Sequence, residues 1–363
     1  MKVAIIHYWL VNMRGGEKVL EAICELFPQA DIYTHVYVPN KMSETIRKHN
    51  VFTTFIQKLP RAHKWYQRYL PLMPRALEAL DLSHYDLIIS SESGPAKGIL
   101  TPSHIPHICY CHTPMRYLWD YYHHYLHTSG FITRFFFSCL APSLRNWDVL
   151  TSHRVDTFIA NSHNVAKRIQ RIYRRESSVI HPPVDLPPIE ETLTAKKESF
   201  YLFLGQVTSY KRADLAIETF RQNGLSLIIA GGGDLLKNLP KNIQSLGFVS
   251  DTKRKELLLQ AKALIFPGEE DFGIVPLEAI AHGTPVIAYA RGGALETVIP
   301  NLSGILFEDQ TVASLQSAID LMEQSTYSFN KEKMYHHAEK FSKQRFQREF
   351  SFAIQQTITA HPL

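Results

Sequence analysis

The sequence predicts an α/β protein of two doubly wound, Rossmann-like domains facing each other across a cleft. Three observations lead there. Apolar runs of strand length alternate with helical patterns along the 363 residues, and that alternation implies parallel sheets covered on both faces. A proline- and charge-rich stretch, "HPPVDLPPIEETLTAKKES" (181–199), divides the runs into two series. The length suits two domains of ordinary size. In such sheets ligands bind beyond the carboxyl ends of the strands.

In the first series strands are expected at 2–8, 31–37, 86–90, 106–111, 156–161 and 178–181. The N-terminal "MKVAIIHYWL" has one lysine and no small-residue cleavage pattern, so it reads as the first strand and not as a signal peptide. His7 closes it. "MRGGEKVLEAICELF" (13–27) follows, with Gly15 and Gly16 ahead of a helix over 16–26. The glycine pair fits close backbone approach to a substrate and fits a tight βα turn equally. "PHICYCHTP" (106–114) ends its strand on His112 and then Pro114, which puts His112 at the mouth of the cleft unless it is structural. Cys109 and Cys111 have no partner pair at zinc-site spacing and read as core.

In the second series strands are expected at 200–205, 225–230, 246–249, 263–266, 285–290 and 304–307, with helices at 212–222, 252–261, 276–282, 312–323 and 340–359. "YLFLGQVTSYKRADLAIETF" (201–220) is strand, loop, helix, and Lys211 and Arg212 stand where the helix begins. Cations are unfavourable at the positive end of a helix dipole unless an anion binds there too. A diphosphate would suit, with the lysine as a point charge and the arginine as a clamp. "AGGGD" (230–234) is either a plain turn or a close approach to a ligand, and it is not the dinucleotide fingerprint of hydride-transfer enzymes.

After the strand "ALIF" (263–266) comes "EEDFGIVPLEA" (269–279). Pro276 fits the first helical position and Gly283 the C-terminal stop. Glu270 then lies on the loop beyond a strand, and Glu278 at the third helical residue. The amides of Phe272, Gly273, Ile274 and Val275 can line an anion site at the helix N-terminus. Carboxylates beside such a site accept hydrogen bonds from hydroxyls. Phosphate and hydroxyls together describe a nucleotide sugar.

Composition bounds the rest. Hydrophobic residues make up 45% and charged residues 20%, as in a soluble globular protein. The best membrane-span candidate, 131–144, is too short and is broken by Arg134 and Pro142. Four cysteines make no disulfide framework, which favours a reducing cytoplasm. The net charge of +5 divides into +8 for residues 1–182 and −3 for 183–363. A basic half suits an anionic membrane or substrate. Two segments, 58–77 and 115–147, mix Arg and Lys with Trp and Tyr; they suit a headgroup-level surface or a stacked helical core.

Glu270 and Glu278 with "FGIVPLEAIAHGTPVIA" resemble the signature of the family-4 retaining glycosyltransferases of GT-B fold. The resemblance takes in Gly15-Gly16, "CHTP" (111–114), "NS" (161–162), the "GQVTSYK" loop and the "GGG" turn, and so covers nearly the whole chain. The texture "HYWL…RGGEKVLEAI…DIYTHVY…CHTPMRYLWDYY" is similar to a bacterial mannosyltransferase subgroup of O-antigen and exopolysaccharide assembly. The resemblance implies an acceptor-binding domain over 1–182 and a donor-binding domain over 183–339, with a final helix (about 340–363) packing back on the first. It implies a nucleoside-diphosphate sugar as donor, GDP-mannose favoured, and a lipid-linked saccharide as acceptor. No nucleic acid and no cofactor or metal is expected.

In that resemblance Glu278 binds the ribose diol, Glu270 the sugar hydroxyls, and the amides of Phe272, Gly273 and Ile274 the sugar and phosphate. Lys211 neutralises the diphosphate, His112 lies near the reacting sugar, and Gly15-Gly16 line the donor–acceptor junction. Gln206 departs from the family, which usually has arginine there; Arg212 or another cation has to cover the loss. The expected enzyme works on the inner face of the cytoplasmic membrane. Two rivals stay open: a nucleotide-sugar epimerase of the same architecture, and a non-catalytic carbohydrate- or lipid-binding protein.

Overall fold

The computed structural model describes residues 1–233, 238–324 and 328–360. Asp234 of the glycine turn and the last three residues of the C-terminal stretch lie outside the described residues. The chain divides into two compact units, Met1–Pro183 with Phe346–Leu363, and Val184–Arg345.

The first unit is built on seven strands: β1 (Val3–His7), β2 (Asp31–Thr34), β3 (Val51–Thr53), β4 (Leu87–Glu92), β5 (His107–Cys111), β6 (Thr157–Ala160) and β7 (Ser178–Val179). They pair in the order β3-β2-β1-β4-β5-β6-β7, parallel throughout. All five residues of β1 and of β5 are buried, as a sheet covered on both faces requires. One layer of core joins Ile5, Ile23, Ile89 and Tyr110 to Phe346, Phe350 and Ile354 of the helix Lys343–Ala360. Those last three recur every four residues, so one stripe of that helix faces the sheet.

The second unit has six strands: β8 (Tyr201–Leu204), β9 (Leu227–Ala230), β10 (Ile243–Gly247), β11 (Ala263–Phe266), β12 (Val286–Tyr289) and β13 (Gly304–Phe307). Their order is β10-β9-β8-β11-β12-β13, again all parallel. Each sheet therefore runs outward one way from its first strand and then reverses. The reversal falls between β1 and β4 in the first unit and between β8 and β11 in the second. At such a switch point the loops from two neighbouring strands leave in opposite directions and open a crevice.

Three expectations about elements are corrected. β3 was not expected; two of its three residues, Phe52 and Thr53, are exposed at the sheet edge, so it carries no burial pattern. The strand expected at 246–249 is Ile243–Gly247, because the exposed Gln244 and Ser245 hide its start. The helix expected from Pro276 starts two residues earlier, at Ile274, behind Gly273 in the left-handed region (φ 86°). Pro276 is then the third helical residue, still within the first turn where no intrahelical N–H is needed, and Glu278 is the fifth.

Candidate functional site

In the second unit the two loops that flank the switch point meet. The loop after β8 carries Lys211, in a short 3-10 turn (Ser209–Lys211), and the loop after β11 carries Glu270. Lys211 Nζ lies 2.8 Å from Glu270 Oε1, and both side chains are four-fifths buried or more. Gly268 makes the approach possible: a Cβ there would lie 2.7 Å from both Lys211 Cα and the Tyr210 carbonyl oxygen. Gly268→Ala is expected to push these loops apart, costing about 1–3 kcal/mol of stability and weakening donor binding more than a conservative change elsewhere in the sheet. Calorimetric unfolding and nucleotide titration of the variant check this.

A third loop, after β12, fixes Glu270 from the other side. Gly293 N–H donates to the Glu270 carbonyl oxygen at 2.9 Å. A Cβ on Gly293 would fall 2.2 Å from Phe272 Cα. Phe272 is buried against Phe341, so its backbone is anchored from below. Gly273, the cap of helix Ile274–Ala281, leaves the first-turn amides of that helix at the carboxyl edge of the sheet. Sequence reading missed Gly292 and Gly293; the pair in "ARGGAL" after an apolar strand was the signal.

Glu278 does not stand alone either. Arg254, in the helix Asp251–Gln260, donates from its guanidinium to Glu278 Oε2. Each acid of the 270/278 pair thus has its own cation, Lys211 for one and Arg254 for the other. Arg254 was not foreseen, because nothing in "SDTKRKELLLQ" marks one cation of three above the rest. Arg212 is placed differently from Lys211. It sits in the left-handed region (φ 53°) as the cap of helix Ala213–Asn223 and reaches Asp214 (3.1 Å) and Gln310 (3.2 Å). In this structure it braces the helix start; the expected clamp on a diphosphate requires those bonds to open. Gln206 is exposed. The glycine turn is a close backbone packing: a Cβ on Gly231 would lie 1.8 Å from the Gly205 carbonyl oxygen.

The first unit has a polar cluster of its own at its switch point. His7 ends β1 and is the register partner of Ser91 on β4. His7 Nδ1 lies 3.2 Å from Ser91 Oγ, and Ser91 Oγ lies 3.0 Å from His112 Nε2. Glu17, the third residue of helix Gly15–Leu26, brings Oε1 to 3.8 Å from His7 Nε2, while its Oε2 accepts from the Arg14 N–H at 3.0 Å. Gly16 is pressed against this cluster, since a Cβ would lie 2.5 Å from the Tyr8 hydroxyl and 3.6 Å from His112 Nε2. Gly15 is the first residue of the helix and makes its turn. Burial, and after it the neighbouring His7, holds His112 down at about 3. The ring is therefore neutral at physiological pH. Burial, and then Glu17, pushes the Tyr8 phenol far up.

Beneath this cluster lies a buried charge group. Lys97 is fully buried, donates to Asp148 and lies 3.3 Å from Glu92 Oε1. Asp148 also accepts from the Tyr173 hydroxyl (3.0 Å) and Trp119 Nε1 (2.8 Å). Burial, with Asp148 adding to it, raises Glu92 to about 7 against the pull of Lys97. Cys109 and Cys111 are fully buried.

The two aromatic-basic segments part company. In 58–77 Arg61 and Arg68 lie over the Trp65 ring at 4.8 and 5.0 Å. In 115–147 Trp119 is committed to Asp148, but the helix Phe131–Ser152 exposes its first turns. That helix runs through Pro142. Phe131, Ile132, Phe135 and Phe136 are 84%, 71%, 58% and 59% exposed, on one face at helical spacing. No described helix is long and apolar enough to cross a membrane.

Comparison with known proteins agrees with this architecture. The family described as "Glycosyltransferase Family 4" matches residues 13–187, and "Glycosyl transferases group 1" matches residues 188–345. An uncharacterized glycosyltransferase of Methanocaldococcus jannaschii is 31% identical over 137 residues, 34% of this chain and 35% of that protein. The alpha-1,3/1,6-mannosyltransferase ALG2 of Saccharomyces cerevisiae is 28% identical over 207 residues, 41% of each chain. The matches thus span about two fifths or less of these two relatives. Among solved structures, Anabaena HepE in complex with UDP and glucose superposes with a TM-score of 0.70 at 16% identity, over 98% of this chain and 100% of that one.

Proposed function

We propose that the chain, whose two halves match the family 4 and group 1 glycosyltransferases, transfers a hexosyl group, mannose from GDP-mannose favoured, to a hydroxyl of a lipid-linked saccharide, as in bacterial surface polysaccharide assembly. One observation carries the reading: Lys211 and Glu270 meet at 2.8 Å at the switch point of the second sheet. A cation beside an acid, each a few residues ahead of a helix N-terminus, suits a diphosphate next to sugar hydroxyls. Glu278 is the candidate for the ribose diol, with Arg254 holding its carboxylate in place. The mannosyl preference is supported by the yeast relative's name and by the N-terminal texture of the sequence.

In the reaction the bond from the anomeric carbon to the diphosphate oxygen breaks, and the acceptor hydroxyl oxygen bonds to that carbon. In front-face attack the acceptor proton passes to the leaving diphosphate, and the sugar keeps its configuration. Lys211 and the first-turn amides of helix Ile274–Ala281 stabilise the departing charge by preorganised electrostatics. With a fixed cation there, the transfer is proposed to need no metal ion.

The test is nucleotide release across GDP-, UDP- and ADP-sugars with a polyprenyl-linked acceptor, in the presence of a chelator. Release from GDP-mannose that depends on acceptor supports the reading. Isomerised donor without acceptor indicates an epimerase, and saccharide binding without any release a binding protein. The exposed face Phe131–Phe136 on a basic unit supports a peripheral membrane site. Phe135→Ser with Phe136→Ser is expected to reduce co-sedimentation with anionic vesicles at least several-fold and to leave transfer to a short soluble acceptor unchanged.

A further inference from the structure

The polar cluster of the first unit sets Glu17, His7, Ser91 and His112 in one line, hydrogen-bonded from His7 through Ser91 to His112, with Glu17 facing the far side of the His7 ring. A serine hydroxyl has one proton and accepts through its lone pairs. Placed between two imidazole nitrogens, it donates to one and accepts from the other. Glu17 settles which. Its carboxylate sits in the first turn of a helix, where the dipole favours negative charge, and is fixed by the Arg14 N–H. At 3.8 Å from His7 Nε2 it is too distant for a hydrogen bond, yet it is the group facing that nitrogen, and both side chains are almost fully buried. His7 Nε2 has no hydrogen-bond partner among the described residues. A proton on Nε2 toward the carboxylate is favoured over a bare lone pair toward it. His7 Nδ1 is then an acceptor.

We propose that Glu17, His7 and Ser91 are positioning residues that hold His112 as its Nε2–H tautomer, so that Nδ1 is a lone-pair acceptor for a sugar hydroxyl. Ser91 donates to His7 Nδ1 and accepts from His112 Nε2–H. The line has one direction, and its open end is His112 Nδ1, for which no hydrogen bond exists among the described residues. His7 and Ser91 cannot slip apart, because they are register partners on adjacent strands. The inference rests on the reading of the chain as a glycosyltransferase, in that the hydroxyl to be bound belongs to a sugar; the tautomer itself does not depend on it.

The experiment is nitrogen-15 NMR of the full chain labelled at histidine, with His112 assigned through His112→Gln, and no donor added. The wild type is expected to show His112 neutral with a bare Nδ1. Ser91→Ala is expected to give a mixture of tautomers and at least a tenfold loss in kcat/KM. Glu17→Gln is expected to shift the His7 and His112 signals together, and it serves if Ser91→Ala does not fold. A wild-type His112 protonated at Nδ1, or a tautomer untouched by both substitutions, overturns the inference. Because the spectrum needs no turnover, a wrong tautomer in an active transferase and a right tautomer in an inactive one are separate outcomes. The first sinks this inference alone, and the second sinks the functional reading and leaves the tautomer standing.

Discussion

Lys211→Ala is expected to lower the turnover of donor by about two to three orders of magnitude, the usual cost of removing one preorganised group from a developing charge. The substitution removes the cation and also leaves Glu270 without its partner at 2.8 Å. An unmatched carboxylate would then repel a diphosphate where Lys211 had attracted it, so the loss exceeds that of the cation alone. The loss of stability should be smaller than for a fully buried pair, because both side chains keep some contact with water. That contrast separates a functional pair from a structural one. Glu270→Gln should recover part of the affinity for nucleotide in the Lys211→Ala background, since it removes the repulsion. Steady-state kinetics and thermal unfolding of the single and double variants measure both effects.

Lys97→Met is the opposite case: a large loss of stability from a residue that touches no substrate in this account. It leaves Glu92 and Asp148 buried side by side without their cation. Breaking a buried ion pair in this way costs about 3–5 kcal/mol. The pH dependence has a definite sign. In the intact protein burial and Asp148 already raise Glu92 to about 7. A carboxyl raised in the folded state contributes stability that is present in full below its unfolded pKa, about 4.3, and lost as the pH climbs through about 7. Without Lys97 that loss grows. The deficit of Lys97→Met should therefore be largest at pH 8 and smaller at pH 5, which denaturant unfolding at the two values measures. Glu92→Gln should flatten the dependence.

What was legible in the sequence was local. Lys211, Glu270 and Glu278 each sit within a strand, loop, helix passage whose apolar run, breakers and charges occupy about twenty consecutive residues. The alternation of such passages along the chain showed two α/β halves. What was hidden was what a fold alone assembles. His7 and Ser91 are 84 positions apart and meet only because β1 and β4 are neighbours at the switch point. Glu17 reads in sequence as an ordinary first-turn acid. Lys97 and Asp148 lie 51 positions apart, and neither stands out in its own stretch. Arg254 gains meaning only from Glu278, on the next helix but one strand away. The helix start at Ile274 was missed for a local reason, since Gly273 takes the left-handed cap position and Pro276 tolerates any place in the first turn.

The most direct measurement is a crystal structure of the protein with intact GDP-mannose. The diphosphate is expected within hydrogen-bond reach of Lys211 Nζ and the first amides of helix Ile274–Ala281, with Glu278 on the ribose and Glu270 on the hexose. Nucleotide bound elsewhere, with the Lys211–Glu270 and Arg254–Glu278 pairs unchanged and no atom of the donor touching them, would contradict it.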